Sequence, residues 1–278
     1  MRARRNAARR GRYHREEASE GTLPRIPLPL LVVSLALLAP APPLRAQAPA
    51  ETAVERGDRL LGEFRTVAAV DAYRAGLARS PDDVELLWKT ARALSNLTDE
   101  TPGRAGDEEL LREAVTLSRR AVRSGPAVSR ARVTLAASVG KLALFEGGRR
   151  KVELAREVER EARRAAELDP RDFAPFTVLG VLERELATLN PLLRGFAGAL
   201  FGGLPEASLE RSAALLERAT RLAPDYVAPH LELARTYVEL DREADARAAL
   251  ERALELAPRE QLDRVLQEQA RALLRELR

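Results

Sequence analysis

Residues 227–260 read VAPHLELARTYVELDREADARAALERALELAPRE, and this stretch decides the fold. His230-x2-Leu233-Ala234-x2-Tyr237 makes one face of a first helix, and Ala246-x3-Leu250-x2-Ala253 makes one face of a second. Leu240-Asp241-Arg242 forms the turn between them. Pro258 ends the second helix, because it has no amide proton and its ring clashes with the preceding turn. The small residues Ala234, Ala246 and Ala253 fall where two antiparallel helices cross, since larger side chains there would hold the backbones apart.

The frame recurs upstream. Residues 173–226 carry Phe176-x2-Leu179-Gly180 and Ser212-x3-Leu216-x2-Ala219. Residues 129–172 carry Leu135-Ala136-x2-Val139 and Val158-x3-Ala162-x2-Ala165. Residues 84–128 carry Ala91-x2-Leu94 and Ala114-x3-Ser118-x2-Ala121, and residues 50–83 carry Gly57-x2-Leu60 and Ala69-x3-Tyr73-x2-Gly76. A dipeptide ending in proline follows each second helix: Ser80-Pro81, Gly125-Pro126, Asp169-Pro170, Ala223-Pro224 and Ala257-Pro258. These prolines are 45, 44, 54 and 34 residues apart, and 34 is the tetratricopeptide period. The expected fold is all-α, an α-solenoid of about five tetratricopeptide-like helix pairs with three intra-repeat insertions. Residues 261–278 form a capping helix, with Leu262, Val265, Leu266, Ala270, Leu273 and Leu274 on the face that covers the open end.

Each insertion falls between the two helices of its repeat. The first, Leu97 to Asp107, is polar with Pro102, Gly103 and Gly106 and reads as a loop. The second, Lys141 to Arg150, lengthens the helices around Gly147-Gly148. The third, Leu189 to Leu204, is apolar and can form a short helix with Leu192, Leu193, Phe196, Leu200 and Phe201 on one side. It either folds inward as added core, the arrangement expected here, or stands out as a patch for a partner or a membrane surface.

The first 46 residues differ in kind. Of the chain's 278 residues, 46 are basic and 42 acidic, a net charge of +4. Nine of the basic and three of the acidic residues lie in 1–46, which leaves 37 basic against 39 acidic beyond it, or −2. Basicity therefore gives no support to nucleic-acid binding by the repeats, and no nucleic-acid partner is expected. A basic stretch to Arg25, an apolar run from Leu28 to Ala39 and a Pro/Ala segment follow one another. Ten to twelve apolar residues are too few to span a bilayer, which takes about 20, but they suit a secretory signal. Cleavage is expected after Ala46, because the competing A-x-A match at Ala48 would leave Pro49 behind the cut. Residues 1–46 then read as a signal peptide and 47–278 as the mature repeat domain, periplasmic or secreted. The alternative is a retained N-terminal membrane anchor. Arginine outnumbers lysine 43 to 3, the usage of a GC-rich bacterial genome.

Catalytic chemistry finds no residues. Cysteine is absent, and histidine occurs only at His14 and His230, the latter reading as a packing residue. No HExxH, Walker loop, GxSxG or strand-borne GxGxxG is present. The chain is expected to be non-enzymatic, with no cofactor and no metal. Glu157, Glu159 and Glu161 read as a solvated helix face paired with Arg at i+3 or i+4. The candidate binding residues are Trp88 and, one turn on, Arg92, with Arg184 and Arg235 on comparable first-helix faces. An aromatic platform and several guanidinium groups on the concave side could hold a protein segment, an extended acidic peptide or a C-terminus. The other reading is that Trp88 is interior packing and each Arg pairs with a neighbouring Glu. An Asn-based carboxylate clamp is not evident, the only asparagines being Asn6, Asn96 and Asn190.

Phe196 to Pro205 reads FAGALFGGLP, Glu206 to Arg211 reads EASLER, and Ala214 to Pro224 reads ALLERATRLAP. Together with VELLWKTARAL at Val84 to Leu94, these segments resemble the regulator of microtubule dynamics family over about residues 50–260. The resemblance implies a tetratricopeptide domain with a hydrophobic Phe/Gly-Gly-Pro insertion at this place, serving as a binding scaffold. It also implies an alternative role as a membrane- or microtubule-associated adaptor, since the eukaryotic members are linked to microtubules and organelle membranes.

Overall fold

A computed structural model describes residues 51–190, Leu192, Gly195 and 204–277. Among the described residues there are eleven α-helices and no strand. They are α1 (Ala53–Gly62), α2 (Thr66–Arg79), α3 (Val84–Glu100), α4 (Asp107–Ser124), α5 (Ser129–Leu142), α6 (Gly148–Leu168), α7 (Ala174–Ala187), α8 (Leu209–Leu222), α9 (Val227–Glu239), α10 (Glu243–Glu255) and α11 (Gln261–Glu276). Consecutive helices pair as α1·α2, α3·α4, α5·α6, α7·α8 and α9·α10, and each pair packs on the next. The result is an α-solenoid of five helix pairs.

The prolines act through one repeated turn. In four junctions the residue before proline is the C-cap of the second helix: Ser80, Gly125, Asp169 and Ala223. The carbonyl of that residue then accepts a bond from the amide three residues on, at Asp83, Val128, Asp172 and Tyr226, at 3.0–3.2 Å. This is the bond of a β-turn with proline at its second position. In three repeats an arginine just before the last small residue of the second helix braces the junction. Arg120 donates to the Pro81 carbonyl at 2.8 Å, Arg218 to Pro170 at 3.1 Å and Arg252 to Pro224 at 3.3 Å.

The fifth junction breaks the pattern. α10 stops at Glu255, and its C-cap Leu256 is extended. The buried Gln267 side chain of α11 donates to the carbonyls of Ala253 and Leu256 at 3.1 and 2.7 Å, satisfying the end of α10. α11 is thereby held against α10 and α9, and it also packs on α3.

The two shortest repeats share another turn. The amides of Arg65 and Arg242 donate to the carbonyls of Leu60 and Tyr237, at 2.9 and 2.8 Å. These are bonds of the kind that close a Schellman motif, with Phe64 (φ 61°) and Asp241 (φ 57°) in the left-handed position usually given to glycine. For Phe64 this conformation costs about 1–2 kcal/mol.

Ala91, Ala114, Ala136, Ala162, Ala234, Ala246 and Ala253 are fully buried at the helix crossings. Gly180 sits so close to α8 that an added Cβ would lie 2.5 Å from Leu216 Cγ. Two expectations need correction. Leu97 to Glu100 are not loop but the last turn of α3, and only residues 101–106 turn, because the polar residues there continue one face of the helix. Glu157 and Glu161 reach neighbouring helices: Glu157 takes both oxygens to Arg119 of α4, and Glu161, buried, binds Arg132 of α5 at 2.6 Å as well as the adjacent Arg160 at 3.1 Å. Only Glu159 makes the i,i+4 pair, with Arg163 at 2.8 Å. Leu192, in the third insertion, is 67% exposed. Phe196, Leu200 and Phe201 lie outside the described residues, as do residues 1–50 and with them the segment read as a signal.

Candidate binding site on the first helices

The first helices touch one another in sequence, α1 on α3, then α3 on α5, α5 on α7, α7 on α9 and α9 on α11. Because α11 returns to α3, the last five close into a circuit. The residues expected to line an open groove therefore face a space closed by the chain's own C-terminal helix. Two clusters result, each held by a glutamate.

The first lies along α3, where Trp88, Arg92, Asn96 and Glu100 follow one another at one-turn spacing. Trp88 is half-buried and packs on the core of the first two repeats. Its neighbour Lys89 lies over the Trp88 ring, with Nζ 5.3 Å from the centroid, and binds Asp58 of α1, which also accepts the Tyr73 hydroxyl at 2.6 Å. The Arg92 guanidinium is 3.9 Å from the Glu260 carboxylate, and its Nε is buried without a hydrogen bond. Asn96, only 6% exposed, donates its amide toward the same carboxylate at 3.4 Å. A single asparagine carries no signal in the sequence; the role of Asn96 comes from a residue 164 positions away.

Glu100 ends the stripe and accepts the Thr66 hydroxyl at 2.7 Å. Burial pushes its carboxyl above the ordinary range, Glu260 and Asp99 add to the rise, and Thr66 and Lys141 oppose it. The folded chain thus holds this proton more tightly than the unfolded one. The resulting stability is complete below the ordinary carboxylate range and is lost as pH rises through the folded value. Glu100→Gln is expected to raise the urea midpoint at pH 7, with a gain that shrinks as pH falls toward about 4. A pH-independent gain in the titration series would rule the assignment out.

The second cluster joins α7, α9 and α11. Arg184 is buried and donates to the Glu232 carboxylate at 2.7 Å and to the Glu232 carbonyl at 3.1 Å. Arg235 binds the other Glu232 oxygen at 2.6 Å and the Gln269 side chain of α11 at 2.7 Å. Both arginines line a cavity of about 260 Å³ with Glu185, Val238, Glu239 and Leu273. Neither stands as a free cation. His230 is buried with Nε2 against the Pro224 carbonyl at 3.1 Å, and burial lowers its pKa, which suits a packing role.

The family model for regulator of microtubule dynamics protein 1-3 matches residues 53–278. The chain belongs to that family. Among its relatives, regulator of microtubule dynamics protein 1 of Bos taurus is 26% identical over 200 residues, 71% of this chain and 63% of its own length. Regulator of microtubule dynamics protein 3 of Mus musculus is 25% identical over 173 residues, 62% of this chain and 37% of its own. The chain thus spans less than two thirds of the length of these family members. A thermophilic tetratricopeptide protein of Thermus thermophilus, TTC0263, superposes with a TM-score of 0.59 at 21% identity, covering 79% of this chain and 97% of that one. That likeness concerns the fold alone, and it agrees with the solenoid described above.

Proposed function

We propose that this family member is a non-enzymatic scaffold that binds a protein segment through the face shared by its first helices. The observation that carries the reading is the stripe on α3, where Trp88, Arg92 and Asn96 present an aromatic surface, a cation and a buried amide donor to one place. An acidic side chain or a C-terminal carboxylate suits these donors. We place this work outside the cytoplasm, after cleavage behind Ala46. The support is the order of basic, apolar and Pro/Ala segments in residues 1–46.

Pull-down from a periplasmic fraction is expected to retain a partner with the wild type and lose it with Trp88→Ala/Arg92→Ala. Equal recovery by both removes the α3 face from the reading. Intact-mass measurement is expected to find a chain starting at Gln47. A chain starting at Met1 favours the second reading, an anchored adaptor, which family membership supports and which co-sedimentation with polymerised tubulin would test.

A further inference from the structure

The circuit of first helices has one seam unlike the others. Between α3 and α9, each first helix is joined to the next through an intervening second helix that packs on both. α11 meets α3 with no such intermediary. Among the described residues, three polar or cation–π contacts tie α11 and its N-cap to α3 and to the turn between α1 and α2. The Arg264 guanidinium of α11 lies 3.7 Å from the centre of the Phe64 ring. Glu260 meets Arg92 at 3.9 Å and Asn96 at 3.4 Å, both long for their kind. Phe64, in the left-handed position of the turn between α1 and α2, lies at the same seam. The charge of Glu260 also adds to the rise of the Glu100 carboxyl, so its position is opposed as well as favoured. Asn96 is nearly buried, yet its amide points at a carboxylate brought by the far end of the chain.

We propose that Arg92 and Asn96 form a carboxylate-binding point, that Glu260 occupies it in the closed chain, and that a partner's acidic segment enters by displacing Glu260 and parting α11 from α3. This rests on the protein-binding reading above and adds its regulation. Glu260 is an internal competitor, and Arg264 on Phe64 sets how often the seam opens. A partner's apparent affinity is then reduced by the fraction of chains that are open.

The absence of cysteine makes a direct test possible in the full chain. Arg65→Cys and Glu268→Cys, both at exposed side chains beside the seam, take nitroxide labels for a distance measurement. The closed chain is expected to give one narrow distance. Glu260→Gln/Arg264→Ala, which changes only side chains at the rim, is expected to give a longer and broader one with unchanged helical circular dichroism. Acetylated hexaglutamate at low salt is the binding probe. It is expected to bind the double variant at least tenfold more tightly than the parent chain, and adding Arg92→Ala is expected to abolish that gain. An unchanged distance in the double variant overturns the latch. A lengthened distance with equal peptide affinity in both forms overturns the internal competition. A lengthened distance with no binding by either form overturns the carboxylate point and the protein-binding reading with it.

Discussion

Replacing Glu232 with alanine is expected to lower the unfolding free energy by about 3–5 kcal/mol. Glu232 sits between two arginines, binding Arg184 with one oxygen at 2.7 Å and Arg235 with the other at 2.6 Å. The Arg184 side chain is only 8% exposed, and its remaining acidic partner is the exposed Glu185 at 3.3 Å. Loss of Glu232 leaves a guanidinium that cannot return to water without pulling α7 from α9. The cost is that of an uncompensated buried charge and exceeds anything expected for surface pairs such as Arg149–Glu153. The double variant Arg184→Met/Glu232→Leu is expected to recover most of the loss, because removing both charges also removes their desolvation. Urea unfolding of the three proteins measures this. A cost below about 1 kcal/mol for Glu232→Ala would mean that the pair is solvated.

Gly57→Ala is the second substitution with a large expected effect, about 3 kcal/mol of destabilisation. A methyl group at this position would stand 2.1 Å from Tyr73 Cε1. Tyr73 is fully buried and cannot move far. Its hydroxyl holds Asp58, which holds Lys89 of the next repeat, so displacing the ring loosens the joint between α1, α2 and α3. Burial, with Asp58 beside it, pushes the Tyr73 phenol well above its ordinary value, which keeps the hydroxyl a donor. Gly62→Ala is the control, since nothing lies within 4 Å of its added Cβ and alanine is the better helix former. Equal thermal midpoints for the two variants would show that the Gly57 contact is not the reason for glycine.

The helix pairs are legible in the sequence because their causes are local. Proline at 81, 126, 170 and 224 follows the C-cap of a second helix and cannot continue it, and small residues at fixed offsets permit a close crossing. The capping helix is legible for the same reason, its apolar residues recurring at helical spacing. The first insertion departs from its reading because the proline and glycine at 102 and 103 do not govern their neighbours, and Leu97 to Glu100 still have a core to lie on. Of the candidate site, Trp88, Arg92, Arg184 and Arg235 are legible as residue types on first helices. Asn96, Glu232 and Glu260 are not, since their parts depend on which glutamate meets which cation.

Sequence by itself determined the repeat, its period and four of its helix ends at the prolines, all of which follow from residues within one or two helices. Tertiary structure alone decided that the solenoid closes on itself. The departure at Ala257-Pro258 is a matter of where α10 loses its last turn and where Gln267 catches its carbonyls. That difference sends α11 back to α3 and puts Glu260 against Arg92 and Asn96. No local pattern encodes such a meeting, because small rotations accumulated over five helix pairs decide whether the two ends touch.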